Sequence, residues 1–337
     1  MIRNIIFILF LFLFCSNFVY AVKTNERFLM DNLQKAKTTK QKIKATKNLI
    51  YYYNSIKDYE SVIPVSESLL DFKLSKKNKY FAYYNLANAY LSLDKPEKAL
   101  EVGQEAQYLY PKKIETKLLL GNIYKNNSLN ELAIVKFREC LDIDSDNLEA
   151  LINLGNVYNS QENYKLSLEY FEQAEKEAVQ NNTELSVNDY INMAISAKEI
   201  GKRDQAQAIL EEIKNKNKKS SLLLVDIYHS KQDFDKAINV LLPFIYQEET
   251  DIEIYCNLAQ MYLLSNKFEE AKDLLLYFKS RNEENNEVID LLLIEAYHNI
   301  YQDKERELQE LKNIYNYTNL DYIKRIFGKV IKFEQLR

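Results

Sequence analysis

An internal period of 34 residues constrains this chain more than any other feature of its sequence. Three segments align at that interval, and their small residues are Ala87, Gly121 and Gly155. A tyrosine follows each small residue three positions later, and Ala or Ser follows nine positions beyond the tyrosine. Self-similarity at a fixed period of about 20 to 50 residues is typical of chains built from stacked copies of one supersecondary unit. The sequence therefore predicts a repeat array.

Each repeat is predicted to consist of two α-helices. Apolar residues recur at three- and four-residue spacing on both sides of short polar turns such as LDKPE at 93–97. Only 5 Gly and 4 Pro occur in 337 residues, which leaves few of the turns that strands and hairpins require. Neither helix of a pair can bury its apolar stripe alone, so we expect stacked repeats to share a continuous core. The expected fold class is all-α.

The pattern of small residue, tyrosine and alanine resembles the tetratricopeptide repeat (TPR) family. Three further copies follow with some drift, and their first positions are Ala194, Val225 and Ala259. The resemblance implies a right-handed α-α superhelix of six such units, a TPR solenoid. Degenerate units are expected on both sides of the six, and a cap is expected over the last apolar face.

The predicted organisation of the chain follows from this array. The predicted segments are a signal peptide at 1–21, an N-terminal helix at 22–42, a degenerate unit at 43–79, six repeats at 80–286, a second degenerate unit at 287–317 and a C-terminal capping helix at 318–337. The last segment is amphipathic with a basic face, so docking to a membrane surface or a partner is the alternative to capping.

The first residues have the pattern of a cleavable secretory signal. Arg3 supplies a positive charge, the run from Ile5 to Phe14 is continuously apolar, and modest side chains lead to a predicted cut after Ala21. Lipidation of Cys15 is an alternative, although the bulky Phe14 before it is unfavourable. Retention as an anchor is another, but the apolar run is shorter than the roughly 20 residues that span a bilayer. We expect an exported protein, periplasmic or otherwise extracytoplasmic.

Several classes of function find no support in the sequence. A net charge of -4 provides no basic field for phosphate backbones, so nucleic acid is not an expected partner. The two histidines, His229 and His298, lie outside any catalytic or phosphate-binding motif. The alternating acids Asp142, Asp144 and Asp146 are not followed by the Gly and Glu of a calcium loop. We therefore expect no enzymatic activity, no metal and no cofactor.

The resemblance also indicates where a partner would bind. In TPR proteins the first helix of each repeat lines a concave groove, and here the residue after the small one is Asn88, Asn122 and Asn156 in successive repeats. An amide donates and accepts at once, so this row is expected to hold an extended peptide backbone; bonding of each Asn within its own repeat is the alternative. The other residues expected on the groove are Tyr84, Leu118, Ile152, Ile191, Ile195, Leu222, Asp226, His229, Cys256 and Gln260.

Binding without turnover is the expected mechanism. The leading hypothesis is an extracytoplasmic scaffold whose groove receives a segment of another protein. A component of an envelope assembly machine, such as outer-membrane protein insertion or pilus biogenesis, is a second hypothesis that rests on the resemblance alone. A cell-envelope enzyme with a site in the groove has no feature in its favour. Clamping of a C-terminal carboxylate is not expected, because Tyr84 stands where such relatives carry a lysine. Membrane association through a partner, the C-terminal helix or a lipidated Cys15 stays open.

Overall fold

The computed structural model describes residues 25–245, 251–282 and 286–301. The predicted signal peptide at 1–21 and capping helix at 318–337 lie outside the described residues. Within the described ranges the chain forms helices and no strand, as its composition predicts. These helices form two compact bodies divided between Glu184 and Leu185, and three of the six predicted repeats lie in each body.

The N-terminal body begins with helix α1 at residues 25–35. The helices that follow are α2 (Thr39–Ser55), α3 (Tyr59–Leu70), α4 (Lys76–Ser92), α5 (Pro96–Leu109), α6 (Ile114–Asn126), α7 (Asn130–Leu141), α8 (Leu148–Ser160) and α9 (Tyr164–Gln180). From α2 onward each helix contacts the next along the chain; in addition, α4 contacts α6 and α6 contacts α8. The first helices of successive repeats therefore lie side by side.

The C-terminal body repeats this arrangement. Its helices are α10 (Val187–Glu199), α11 (Arg203–Glu212), α12 (Lys218–Ser230), α13 (Phe234–Leu241), α14 (Ile252–Leu264), α15 (Phe268–Arg281) and α16 (Glu287–Ile300). A short 3-10 helix, Leu242–Phe244, follows α13. None of the helices within the described ranges combines the length and apolar composition needed to cross a membrane.

One turn conformation joins the two helices of every repeat. A residue in the left-handed region lies seven positions after the small residue, and the next residue donates its N–H to the carbonyl of the repeat tyrosine position. In the first repeat these are Asp94, with φ of 54°, and Lys95, whose N–H lies 2.9 Å from the Tyr90 oxygen. The other left-handed residues of this kind are Lys57, Ser128, Glu162, Gly201, Gln232 and Asn266. This C-terminal cap satisfies the last carbonyls of the first helix and fixes where the second begins.

The core is built from the repeat positions. The third residue of the pattern is fully buried in all six predicted repeats: Ala99, Ala133, Ser167, Ala206, Ala237 and Ala271. Gly121 lies against the ring of Phe137 and Gly155 against the ring of Phe171, because only glycine leaves room for a ring at that crossing. In the first repeat the glycine is on the second helix, where Gly103 lies opposite Ala87 of the first helix. A small residue thus lies at the crossing of each of these three helix pairs.

Repeat tyrosines also tie neighbouring repeats together through their hydroxyls. Tyr228 Oη donates to Glu211 Oε1 at 2.5 Å, and Glu211 lies on the second helix of the preceding repeat. Tyr90 bonds Glu67 in the same way at 3.1 Å, while Tyr158 Oη accepts from the Arg138 guanidinium at 2.7 Å. Burial is the main cause that raises the pKa of Tyr90, Tyr158 and Tyr228, so their hydroxyls stay protonated.

Some predicted boundaries differ from the structure. The boundary between 42 and 43 falls inside α2, which begins at Thr39 because Thr38 and Gln41 form a capping box. The boundary between 79 and 80 falls inside α4, which begins at Lys76 after the Ser75 cap. Helix α9 has 17 residues, against 12 in α7, and the polar stretch from Asn181 to Ser186 connects it to α10.

Candidate functional site

The candidate site is the surface formed by α4, α6 and α8, which we call the first-helix face. Asn88, Asn122 and Asn156 occupy the same position on these three helices, and each is half-buried. The small residue before each of them is buried against its partner helix. Successive helical residues are rotated by about 100° around the helix axis. The Asn side chain therefore lies at the surface, next to the contact between the small residue and the partner helix. The structure thus brings the predicted amide row onto one face.

The three amides differ in what they contact. Asn122 Nδ2 lies 3.5 Å from Glu149 Oε1 on α8, a distance at the long limit of a hydrogen bond. Asn156 also has an interaction within the described chain. The side chain of Asn88 makes no hydrogen bond to any described residue. Local bonding therefore accounts for part of the row, and it leaves donors and acceptors on the face for a ligand.

A second set of amides holds the first helices together, and sequence reasoning missed it. Asn54 of α2 donates to Asn85 Oδ1 of α4 at 2.8 Å, and Asn85 in turn donates to the Phe81 carbonyl at 2.7 Å. Lys125 of α6 donates to Asn153 Oδ1 of α8 at 2.7 Å. Both Asn85 and Asn153 lie two positions before the small residue, and this shared position is the signal that could have revealed them.

Apolar contact on the face comes from Tyr84 and Ile152, which are both half-buried. The Tyr84 ring stacks on Tyr80 with 5.8 Å between centroids. Burial first, and then the nearby carboxylates of Glu149 and Glu115, raise the pKa of Tyr84. Its hydroxyl is therefore protonated at neutral pH and can donate to a ligand oxygen.

Leu118 and Ile191 correct the prediction, because both are in the core. Leu118 is 8% exposed and packs in a cluster with Phe137 and Tyr158, and Ile191 is fully buried. They share a repeat position with Tyr84 and Ile152. That position lies at the edge of the contact with the next repeat, so its exposure depends on the neighbouring side chains and cannot be read from the repeat register.

The predicted residues of the C-terminal body differ in exposure, and the carboxylate among them is paired. Asp226 is exposed and forms an ion pair with Lys198 at 2.5 Å. His229 is exposed, and its ring lies 6.1 Å from that of Phe234. Ile195, Leu222 and Cys256 are half-buried, whereas Gln260 is exposed. This set lacks the row of amides found on the first-helix face.

The chemistry of the described residues is that of contact surfaces. Within the described ranges no three His, Cys, Asp or Glu side chains come together as a metal site would require. Cys140 is fully buried, and this burial raises the pKa of its thiol to about 12, so the nucleophilic thiolate is not populated at neutral pH. Hydrogen bonding and apolar contact are what the first-helix face offers.

Paired helices, a recurring turn and a shared core define the class as an α-helical repeat protein. The family model described as tetratricopeptide repeat matches residues 82–113, 148–178 and 252–276. These matches coincide with the first, third and sixth of the six predicted repeats. The chain contains tetratricopeptide repeats at these positions.

Solved structures share this fold at low sequence identity. One is pilF of Pseudomonas aeruginosa, at 16% identity and a TM-score of 0.51, covering 62% of this chain and 95% of that one. Another is a tetratricopeptide repeat protein from Parabacteroides merdae, at 19% identity and a TM-score of 0.51, covering 75% of this chain and 98% of that one. Comparison with curated proteins gives no match. Tetratricopeptide repeats are typically non-catalytic scaffolds for protein–protein contacts, and this is the function that the repeats support.

Proposed function

We propose that this protein is an extracytoplasmic scaffold that binds an extended segment of another protein on the first-helix face of its N-terminal body. The observation that carries the proposal is the placement of three half-buried amides, Asn88, Asn122 and Asn156, at one position on three adjacent helices. Side-chain amides can bond both the N–H and the C=O of a peptide backbone. Such a row gives affinity for a main chain with little demand on its side chains.

The spacing of the row suits an extended ligand. Packed helices lie about 8 to 10 Å apart, and an extended chain advances about 3.3 Å per residue. Successive amides would therefore meet the ligand backbone at roughly every third residue. Tyr84 and Ile152 supply apolar contacts beside the row, and they can accommodate ligand side chains that point toward the face.

The extracytoplasmic part of the proposal rests on the N-terminal sequence. Arg3, the apolar run to Phe14 and the modest residues up to Ala21 form the pattern of a cleavable signal. We expect the protein in the envelope or secreted fraction of its source cell, with Val22 as its first residue. Recovery in the cytoplasmic fraction with residues 1–21 still attached would contradict this location and would leave the binding proposal intact.

Co-purification with a triple variant tests the binding site. We expect Asn88→Ala, Asn122→Ala and Asn156→Ala together to lose the partners that the natural chain retains, with unchanged helical content. The matched control changes three exposed asparagines that are not part of this face: Asn181→Ala, Asn215→Ala and Asn239→Ala. If the two triple variants retain the same partners, the first-helix face is not the binding site.

A further inference from the structure

Positive charge is concentrated at the start of the N-terminal body. Helix α2 contains four lysines and α4 contains three, and neither helix contains Asp or Glu. The next two first helices differ, since α6 carries Glu115 and α8 carries Glu149. Because the whole chain has a net charge of -4, this concentration is a local feature.

Three of these lysines line one recess. A pocket of about 310 Å³ lies between α2 and the start of α4, and its lining includes Lys40, Lys44 and Lys47 together with Tyr51 and Asn78. Lys40, Lys44 and Tyr51 are separated by four and seven positions, which places them on one side of α2. We call this recess the α2 lysine pocket.

The pocket has polar and aromatic walls around its deepest lysine. Lys47 is half-buried, its Nζ lies 3.4 Å from Asn78 Oδ1, and it sits 4.4 Å from the centre of the Phe81 ring. Tyr51 is 57% exposed, and its ring lies 5.0 Å from that of Phe81. A ligand that enters the pocket thus meets ammonium groups, an amide and an aromatic ring at once.

No carboxylate of the described chain balances these charges. Lys40, Lys44 and Lys47 form no ion pair with any described residue, and burial followed by repulsion from Lys77 lowers the pKa of Lys47. Lys218 on the first helix α12, by contrast, lies 2.6 Å from both Asp251 and Glu253. Like charges four residues apart on a helix are unfavourable. A ligand that brings negative charge into the pocket would therefore be stabilised.

We propose that the α2 lysine pocket binds an acidic segment of a partner protein, with Asp or Glu side chains of that segment placed between Lys40, Lys44 and Lys47. The pocket adjoins the first-helix face, because α2 bonds α4 through Asn54 and Asn85. That the ligand is a protein follows from the proposed function, and the inference rests on it. A carboxylate side chain can reach recessed Lys47, whereas a flat bilayer would reach only the exposed Lys40 and Lys44.

Fluorescence anisotropy of a labelled peptide tests this assignment on the full chain. The probe is a peptide of about twelve residues that alternates Glu with Ser, and its control has Gln in place of Glu. We expect the Glu peptide to bind more tightly than the Gln peptide, and its binding to weaken as salt is added. We expect the triple variant Lys40→Gln, Lys44→Gln and Lys47→Gln to bind the Glu peptide about tenfold more weakly, because it loses three partly exposed charge pairs.

The matched control removes the same charge elsewhere in this body. Lys112→Gln, Lys165→Gln and Lys176→Gln change three exposed lysines that lie away from the pocket, and we expect an effect below about twofold. Gln and Lys have similar helix propensities, so both variants should keep the natural helical content. Equal weakening in the two variants, or no preference for the Glu peptide, would overturn the proposal.

Vesicles separate a lipid ligand from a protein ligand. Binding to vesicles with anionic phosphatidylserine through the same three lysines, without binding of the Glu peptide, would make the pocket a membrane site and overturn the assignment. If the Glu peptide does not bind while partner capture still depends on the Asn row, the α2 lysine pocket assignment is overturned and the proposed function stands. Peptide binding at the pocket, with partners unaffected by the Asn variant, would instead contradict the proposed function.

Discussion

The contact between Gly121 and Phe137 allows a sharp test of how the repeats pack. A β-carbon added at Gly121 would lie closer than 3.0 Å to three atoms of the Phe137 ring, and that ring is fully buried. The ring has no open space into which it can move without displacing its neighbours. We therefore expect Gly121→Ala to destabilise the N-terminal body.

Gly155 provides the matched comparison for the magnitude. Overpacking in a core costs about 1 to 3 kcal/mol, whereas exchanging Gly for Ala inside a helix gains about 1 kcal/mol. Gly155→Ala has the same helical gain, but its β-carbon would lie 3.0 Å from the Phe171 ring atoms, so a smaller adjustment suffices. The helical gain is the same in both variants, so it cancels in the difference between their free energies of unfolding. We expect Gly121→Ala to be less stable than Gly155→Ala by about 1 to 2 kcal/mol.

Urea unfolding followed by circular dichroism measures this difference. A further variant, Gly121→Ala with Phe137→Leu, should be more stable than the sum of the two single changes, because the smaller side chain makes room for the new methyl group. A Gly121→Ala variant as stable as Gly155→Ala, or strict additivity in the double variant, would refute the assigned packing of α6 against α7.

Three other predictions test separate parts of the structure. Gly201 has φ of +84° and no atom within 4 Å of an added β-carbon, so Gly201→Ala should cost about 1 kcal/mol in urea unfolding from backbone strain alone. Asp290 is fully buried 2.5 Å from the partly exposed Lys279, and Asp290→Asn should cost about 1 to 3 kcal/mol, with faster hydrogen exchange in α16. Tyr228→Phe removes the hydrogen bond that most lowers the pKa of Glu211 below 4.5. A carboxyl whose pKa is lowered by folding stabilises the folded state at a pH above its unfolded pKa, and this contribution is lost as the pH falls through the folded pKa. The Tyr228→Phe variant should therefore lose less stability than the natural chain between about pH 5 and about pH 3.

The repeat pattern predicted the fold well because each of its positions has one physical role. The residue nine after the tyrosine position, for example, is fully buried at every predicted repeat. The lengths of the second helices were not predictable in the same way. Ala174 and Ala178 are buried on the C-terminal part of α9, where this helix extends beyond the length of α7. Local composition did not show that tertiary contact.

The candidate site was predicted less completely than the fold. The Asn row follows from the register, whereas the burial of Leu118 and Ile191 depends on how neighbouring repeats pack. The α2 lysine pocket was missed because its residues precede the six predicted repeats. The absence of Asp and Glu from both α2 and α4 was the available signal.

Photo-crosslinking in the source cell tests the central claim most directly. A crosslinking residue in place of Asn88 reports on the first-helix face, and one in place of exposed Gln173 on the second helix α9 is the control. We expect defined protein adducts from position 88 and none of the same adducts from position 173. The same adducts from both positions, or from position 173 alone, would contradict binding on the first-helix face.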